Sequence, residues 1–190
     1  MPAGSDQQQH WDAIYGTHEE FFGIGPSEFG VRAATVLEEA KVQTLLELGC
    51  SQGRNTLLFL QRGVHVTALD YAETAIRQLQ ARAEAAGLDA RLTTHKHDVR
   101  EPLPFPKATF DACVSHMSFT MALTERELER AFAEVWRVLK PGGLNLYSVR
   151  NDHDPHFGKG PCGRGHVAEL DGLRGPLFLG GQGATPCQRL

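Results

Sequence analysis

From Thr44 onward, short apolar runs of strand type alternate with stretches of helical period. That alternation leaves few folds open, because strands joined by helices lie parallel in one sheet with the helices packed on its faces. The period places strands at Thr44–Leu48, Val64–Leu69, Arg91–His95, Phe110–Ser115 and Leu144–Val149. It places helices at Arg54–Arg62 and Tyr71–Ala86; in the second, Ile76, Leu79 and Ala83 share a face and Gly87 stands where the helix must end. Thr124 and Glu127 have the spacing of a capping box, and the stripe Leu128, Ala131, Phe132, Val135, Val138, Leu139 then runs to Pro141-Gly142-Gly143, which stops it. The expected fold class is α/β, a doubly wound and mostly parallel sheet.

The whole chain of 190 residues suits one domain able to bury a core. Residues 44–150 form that core, and residues 11–43 precede it as a cap segment and a helix at Gly30–Ala40. The cap carries Trp11, Tyr15, Phe21 and Phe22, too short a segment to fold alone, so its aromatics must pack on the sheet or on a ligand. Residues 1–10 are Gln-rich and polar and are expected to be disordered. They show no apolar stretch behind a basic cluster, and no segment is apolar enough to span a bilayer, so a cytoplasmic protein with no membrane partner is expected. A net charge of −4 provides no field for a phosphate backbone, which points to a small-molecule partner and not to nucleic acid. Cys50, Cys113, Cys162 and Cys187 form no CxxC pair and read as free thiols; no metal site is expected. Residues 151–190 are a Gly-rich C-terminal segment, and Leu173–Leu190 shows neither a period of two nor one of 3.6, so strands beyond the fifth are expected to be incomplete.

Leu45-Leu46-Glu47-Leu48-Gly49-Cys50-Ser51-Gln52-Gly53-Arg54-Asn55 reads as strand, glycine turn and helix start, the place where such a sheet binds ligands. Gly49 and Gly53 let the backbone turn sharply beside a ligand, and the helix N–H groups favour an anionic or hydrogen-bonding group. A dinucleotide fingerprint would need glycine where Ser51 and Arg54 stand, which weakens a nicotinamide-cofactor reading. Asp70 closes the second strand, where a carboxylate accepts from both hydroxyls of a ribose. Asp98 follows the third strand, where a carboxylate can meet the amine of an adenine. Three acids, Glu47, Asp70 and Asp98, thus fall at successive strand ends on the ligand side.

Taken in order, Glu47-Leu48-Gly49-Cys50-Ser51-Gln52-Gly53, Asp70, Asp98-Val99, Phe110-Asp111-Ala112-Cys113-Val114-Ser115 and Leu139-Lys140-Pro141-Gly142-Gly143 resemble the motifs of class I S-adenosylmethionine-dependent methyltransferases. Within that class, Gly49-Cys50-Ser51-Gln52-Gly53-Arg54-Asn55 with Val66-Thr67-Ala68-Leu69-Asp70 looks similar to the small tellurite-resistance and thiopurine type. The resemblance spans about Trp11 to Val149 and implies a Rossmann-like fold with S-adenosylmethionine as cofactor. Carried over residue by residue, it implies that Gly49 and Gly53 flank the methionine part of the cofactor and Glu47 supports the loop or the cofactor's amino group. Asp70 would bind the ribose with Tyr71 beside it, Asp98 and Val99 would frame the adenine, and Ser115 would border the cofactor. Ser51 stands where the family has glycine; if the loop demands positive φ there, affinity falls. Trp11, and Tyr15 with it, would face the sulfonium or seal the pocket.

Methyl transfer from a sulfonium is an in-line displacement in which the protein aligns the reactants and excludes water. A soft thiol, selenol or metalloid anion needs no base, whereas an amine or hydroxyl does. The candidate bases are His116 after the fourth strand and His153, beside Asp152, after the fifth; Met117, Phe119 and Met121 are candidates to line the acceptor pocket. The competing enzyme reading takes Gly49-Cys50-Ser51-Gln52-Gly53 as a Gly-x-Ser-x-Gly elbow, with Ser51 as a hydrolase nucleophile and Asp111 and His153 or His166 completing a triad. It leaves Asp70, Asp98 and the Leu139–Gly143 run unexplained. A non-catalytic nucleotide-binding relative is the remaining alternative.

Overall fold

The computed structural model describes residues 4–121 and 123–150. Among them, β1 (Thr44–Leu48), β2 (His65–Asp70), β3 (Leu92–Lys96), β4 (Phe110–His116) and β5 (Leu139–Ser148) form one sheet in the order β3-β2-β1-β4-β5, every pair parallel. The chain leaves β1 toward β2 on one side and returns to its other side with β4, so the C-terminal ends of β1 and β4 diverge into a crevice. The expected doubly wound sheet is therefore present.

Helices follow from where the apolar side chains must go. α2 (Glu28–Glu39), α3 (Arg54–Gln61) and α4 (Glu73–Ala85) bury Ala33, Leu37, Phe59, Leu60, Ile76 and Leu79 against one face of the sheet, on Leu45, Val66 and Val114. On the other face α5 (Glu125–Val138) lays Ala131, Val135 and Val138 over Leu46, Leu48, Leu69 and Cys113. Its start is the expected capping box: Glu127 N–H donates to Thr124 Oγ1, while the Thr124 N–H donates to Glu127 Oε2 at 2.7 Å. Ser27 caps α2 by accepting from Gly30 N–H at 2.9 Å.

Most boundaries shift by one or two residues from the sequence expectation, and three departures have a physical reason. Residues 1–10 were expected to be disordered, yet α1 spans Gly4–Thr17. Docking stabilises it: Tyr15 is buried with Ala72 and Ala75, Trp11 and Ile14 pack around them, and Asp12 Oδ1 accepts from the Thr74 N–H at 3.0 Å, filling an orphan donor in the first turn of α4. The Pro141-Gly142-Gly143 run ends no helix; it lies inside β5 as a bulge. Phe110 pairs with Leu139 and Ala112 with Leu144, which leaves residues 140–143 outside the regular register. Gly143 is required there, because a Cβ would sit 2.9 Å from the Lys140 carbonyl and 3.0 Å from that of Asp111. α4 starts at Glu73 and not at Tyr71, because the backbone first turns around the Asp70 carboxylate, which accepts from the Ala72 N–H at 2.9 Å.

Candidate active site

The loop after β1 is shaped by backbone angles that side chains resist. Gly49 has φ +71°, and a Cβ there would fall 1.8 Å from Ser118 Oγ, the hydroxyl that donates to Leu48 O at 2.9 Å. Ser51 has φ +52°, so the loop does demand the left-handed region where the family has glycine. Two contacts hold it: its N–H donates to Asp70 Oδ2 at 2.8 Å, and its hydroxyl pairs with Tyr15 Oη at 3.0 Å. Gly53 N-caps α3 at φ +84°, and its missing Cβ makes room for Leu79 Cδ1 at 2.2 Å. Its role is close packing of α3 on α4, and it does not line the crevice.

Two acids meet beneath this loop. Asp70 is buried at the tip of β2; burial pushes its carboxyl up to about 6, while the backbone N–H groups of Ala72 and Ser51 pull the other way. Oδ2 accepts from the Ser51 N–H and Oδ1 from the Ala72 N–H, and the Tyr71 N–H also reaches the carboxylate, so three backbone donors meet its roughly four acceptor sites. Glu47 is buried too, accepts from Thr56 Oγ1 at 2.6 Å, and is pushed up to about 8 by burial. Asp98 behaves differently. Arg100 grips both its oxygens through Nε and Nη2, and this outweighs partial burial to hold Asp98 below the usual carboxylate range. The carboxylate expected to await an adenine amine is thus engaged by a neighbour two residues away.

A cleft opens over the diverging ends of β1 and β4. Trp11, Glu47, Gly49, Ser51 and Asp70 line it, as do Tyr71, Asp98, Val99 and His116. Trp11 stacks on Tyr15 at 5.5 Å between ring centres and closes one wall. The Tyr71 hydroxyl is buried with no hydrogen-bond partner among the described residues. Ser115 departs from expectation: it is wholly buried on the strand face it shares with Cys113, away from the cleft lining, and the next residues, His116 and Met117, take the border position. Met121 also lines the cleft, whereas Phe119 packs into the core under α5.

His116 is a stacked, half-buried imidazole. Its ring lies 4.9 Å from that of Phe29 at 8°, and Nδ1 pairs with Ser148 Oγ at 2.7 Å. Burial, with the Arg54 cation as a smaller contribution, pushes its pKa down to about 4. It is neutral at neutral pH. His153, like Asp152 and His166, lies outside the described residues. The hydrolase triad does not assemble from the others. Among the described residues the Ser51 hydroxyl meets Tyr15 and no histidine. Asp111 sits at the opposite end of the strands, accepting from Thr44 N–H at 2.8 Å and from Lys140 Nζ at 2.7 Å. There it staples the starts of β1 and β4 to the bulge of β5.

Residues 45–143, about half the chain, match the family described as a methyltransferase domain. The chain belongs to the methyltransferase-domain family. It is 34% identical over 114 residues to an uncharacterised protein of Haemophilus influenzae, a match covering 57% of this chain and 45% of that protein. It is 32% identical over 134 residues to a malonyl-[acyl-carrier protein] O-methyltransferase of Serratia marcescens, covering 69% of this chain and 43% of that enzyme. The chain thus spans less than half the length of these curated relatives. Among solved structures, PH0226 of Pyrococcus horikoshii OT3 is 26% identical with a TM-score of 0.59, over 71% of this chain and 64% of that one. The [4+2]-cyclase SpnF, at 23% identity and a TM-score of 0.60 over 77% of this chain and 60% of that one, shows the fold.

The site of this methyltransferase domain fits the cofactor that the sequence resemblance implies. Asp70 keeps acceptor capacity for a diol, Tyr71 offers a buried hydroxyl, and the absent Cβ of Gly49 lets Ser118 close under the loop that lines the cleft. Sequence reasoning passed over Gln52, Arg54 and Arg100. Gln52 is buried and ties the cap to the loop: Oε1 accepts from Phe21 N–H at 2.9 Å and Nε2 donates to His18 O at 2.6 Å. Arg54 Nη1 donates to Phe22 O at 2.6 Å with its guanidinium 5.6 Å over the Phe22 ring. Both stand in the glycine loop itself, but a reading that weighed glycine spacing gave their side chains no task.

Proposed function

We propose that this chain binds S-adenosylmethionine in the cleft above β1 and β4 and methylates a small molecule through a thiol, selenol or metalloid anion. When bound, the cofactor supplies an electrophilic methyl group. Asp70 accepts from the ribose hydroxyls, Tyr71 and Val99 border the adenine with Asp98 and Arg100 as the polar edge, and Glu47 faces the amino group. Trp11 and Tyr15 exclude water from above.

The observation that carries the choice of acceptor is His116. An imidazole whose pKa is pushed down to about 4 by burial is too weak a base to take a proton from an ammonium or a hydroxyl. A soft nucleophile that arrives as an anion needs only alignment. This agrees with the resemblance to the tellurite-resistance and thiopurine type, which rests on Gly49-Cys50-Ser51-Gln52-Gly53-Arg54-Asn55 and the strand closing at Asp70. The test is a panel of thiols, selenite, tellurite, amines and phenols incubated with protein and S-adenosylmethionine, with S-adenosylhomocysteine and methylated product measured by mass spectrometry. Product with thiols or metalloids and none with amines is expected. Methylated amines or phenols alone would overturn the choice of acceptor, and no S-adenosylhomocysteine with any member would count against methyl transfer.

A further inference from the structure

The charges around the cleft are not mixed. Asp70 and Asp98 lie at the ends of β2 and β3, Glu47 on β1 is engaged by Thr56, and Asp98 is already matched by Arg100. Arg54, the first residue of α3, stands apart from them, close enough to His116 to disfavour its protonation. Among the described residues no carboxylate pairs with Arg54. Its guanidinium is partly withdrawn from water and held by one Nη1 bond to the Phe22 carbonyl and by the Phe22 ring beneath it. A cation so placed keeps further donors in a fixed planar fork. The surrounding wall is apolar: Phe22, Met117, Met121 and Leu123.

From this placement we infer that Arg54 is the specificity-determining residue for the acceptor, and that the acceptor is a carboxylate-bearing molecule whose anionic end sits on the Arg54 fork while its reactive atom points toward Gly49. The inference rests on the methyl-transfer reading and gives that site a substrate class. Three features carry it together. The cation lies in the same cleft as the expected methyl donor site but away from the acids that suit a nucleoside. Its neighbour His116 is neutral and so does not compete for an anion. Among the described residues its partners are the Phe22 carbonyl and ring, neither of which carries a full negative charge to match it. A bidentate carboxylate supplies that compensation in a geometry the guanidinium fork matches.

The experiment compares two probes of the same shape, mercaptoacetate and its neutral amide mercaptoacetamide, titrated by NMR at fixed ionic strength into protein saturated with S-adenosylhomocysteine. The acid should bind about tenfold more tightly than the amide, the effect of one charge-assisted pair. In Arg54→Gln the ratio should fall to near one, and Arg54→Lys, which restores the charge without the fork, should recover part of it. A ratio near one in the wild type, or a ratio that survives in Arg54→Gln, overturns the proposal. If Arg54 only latched the Phe22 segment, both probes would weaken together in Arg54→Gln and the ratio would persist, which again overturns it. A titration with S-adenosylhomocysteine alone, and the same probe series run without the nucleoside, separate the two levels. Failure to bind that nucleoside with the Arg54-dependent ratio intact counts against methyl transfer and leaves the anion site standing.

Discussion

At the scale of single residues the site is built from groups that the fold tolerates at a cost. Glu47 is the clearest case. Burial pushes its carboxyl from 4.5 up to about 8, so the folded protein keeps a proton that the unfolded chain gives up above 4.5. Stability is therefore lost as pH rises from about 4.5 to about 8. Glu47→Gln keeps an acceptor for Thr56 Oγ1 and removes that loss, so urea unfolding should find the variant gaining on the wild type between about pH 5 and pH 8. An unchanged difference across that range would contradict the assignment. Asp70 supplies the binding counterpart: with its carboxyl at about 6, affinity for a diol-bearing cofactor should weaken as pH falls through 6, and Asp70→Asn should bind weakly at every pH, without that step. Gly49→Ala places a methyl group against Ser118 Oγ at positive φ, so it should cost roughly 1–3 kcal/mol in chemical unfolding and abolish cofactor binding. Gly49 and Asp70 were legible in the sequence because strand, turn and strand end fix where their backbone goes. The position of His116 was legible for the same reason, but its environment and the task of Arg54 were not, since these come from Phe29 and Phe22, residues far away in sequence.

At the scale of elements, the cap over the cleft hangs on few side chains. Gln52 satisfies the Phe21 N–H and the His18 carbonyl at once and also reaches Gln78 Oε1 at 2.9 Å, so Gln52→Leu leaves these partners unmet inside a buried corner. The expected result is faster amide exchange over residues 18–22 with little change in the strands; unchanged exchange there would remove Gln52 from that role. Thr124→Ala should cost about 1 kcal/mol through loss of the capping box, measured as a lower urea midpoint. The α5 box was readable because it is local, four residues in sequence. The helical state of α1 was not, because its Gln-rich stretch owes its order to α4, which meets Asp12 and Tyr15 from more than fifty residues away. The β5 bulge was misread for the same reason: Pro-Gly-Gly signals a break locally, and only pairing of Leu139 with Phe110 shows that the strand has already begun.

At the scale of the whole molecule, the order β3-β2-β1-β4-β5 creates the crevice, and the three acids at successive strand ends all face it. That much follows from the alternation of strand and helix, since topology dictates which strand ends diverge. The nature of the acceptor does not follow from topology; it lies in side chains that the cap, the turn after β4 and the start of α3 bring together. The central claim is that the tip of β2 holds a nucleoside diol. Calorimetric titration of the protein with S-adenosylmethionine, repeated on Asp70→Ala, tests it most directly. Saturable one-to-one binding in the wild type that weakens at least about tenfold in Asp70→Ala, with the variant still folded, is the predicted result. Binding of equal strength in both proteins, or none to a folded wild type, would contradict it.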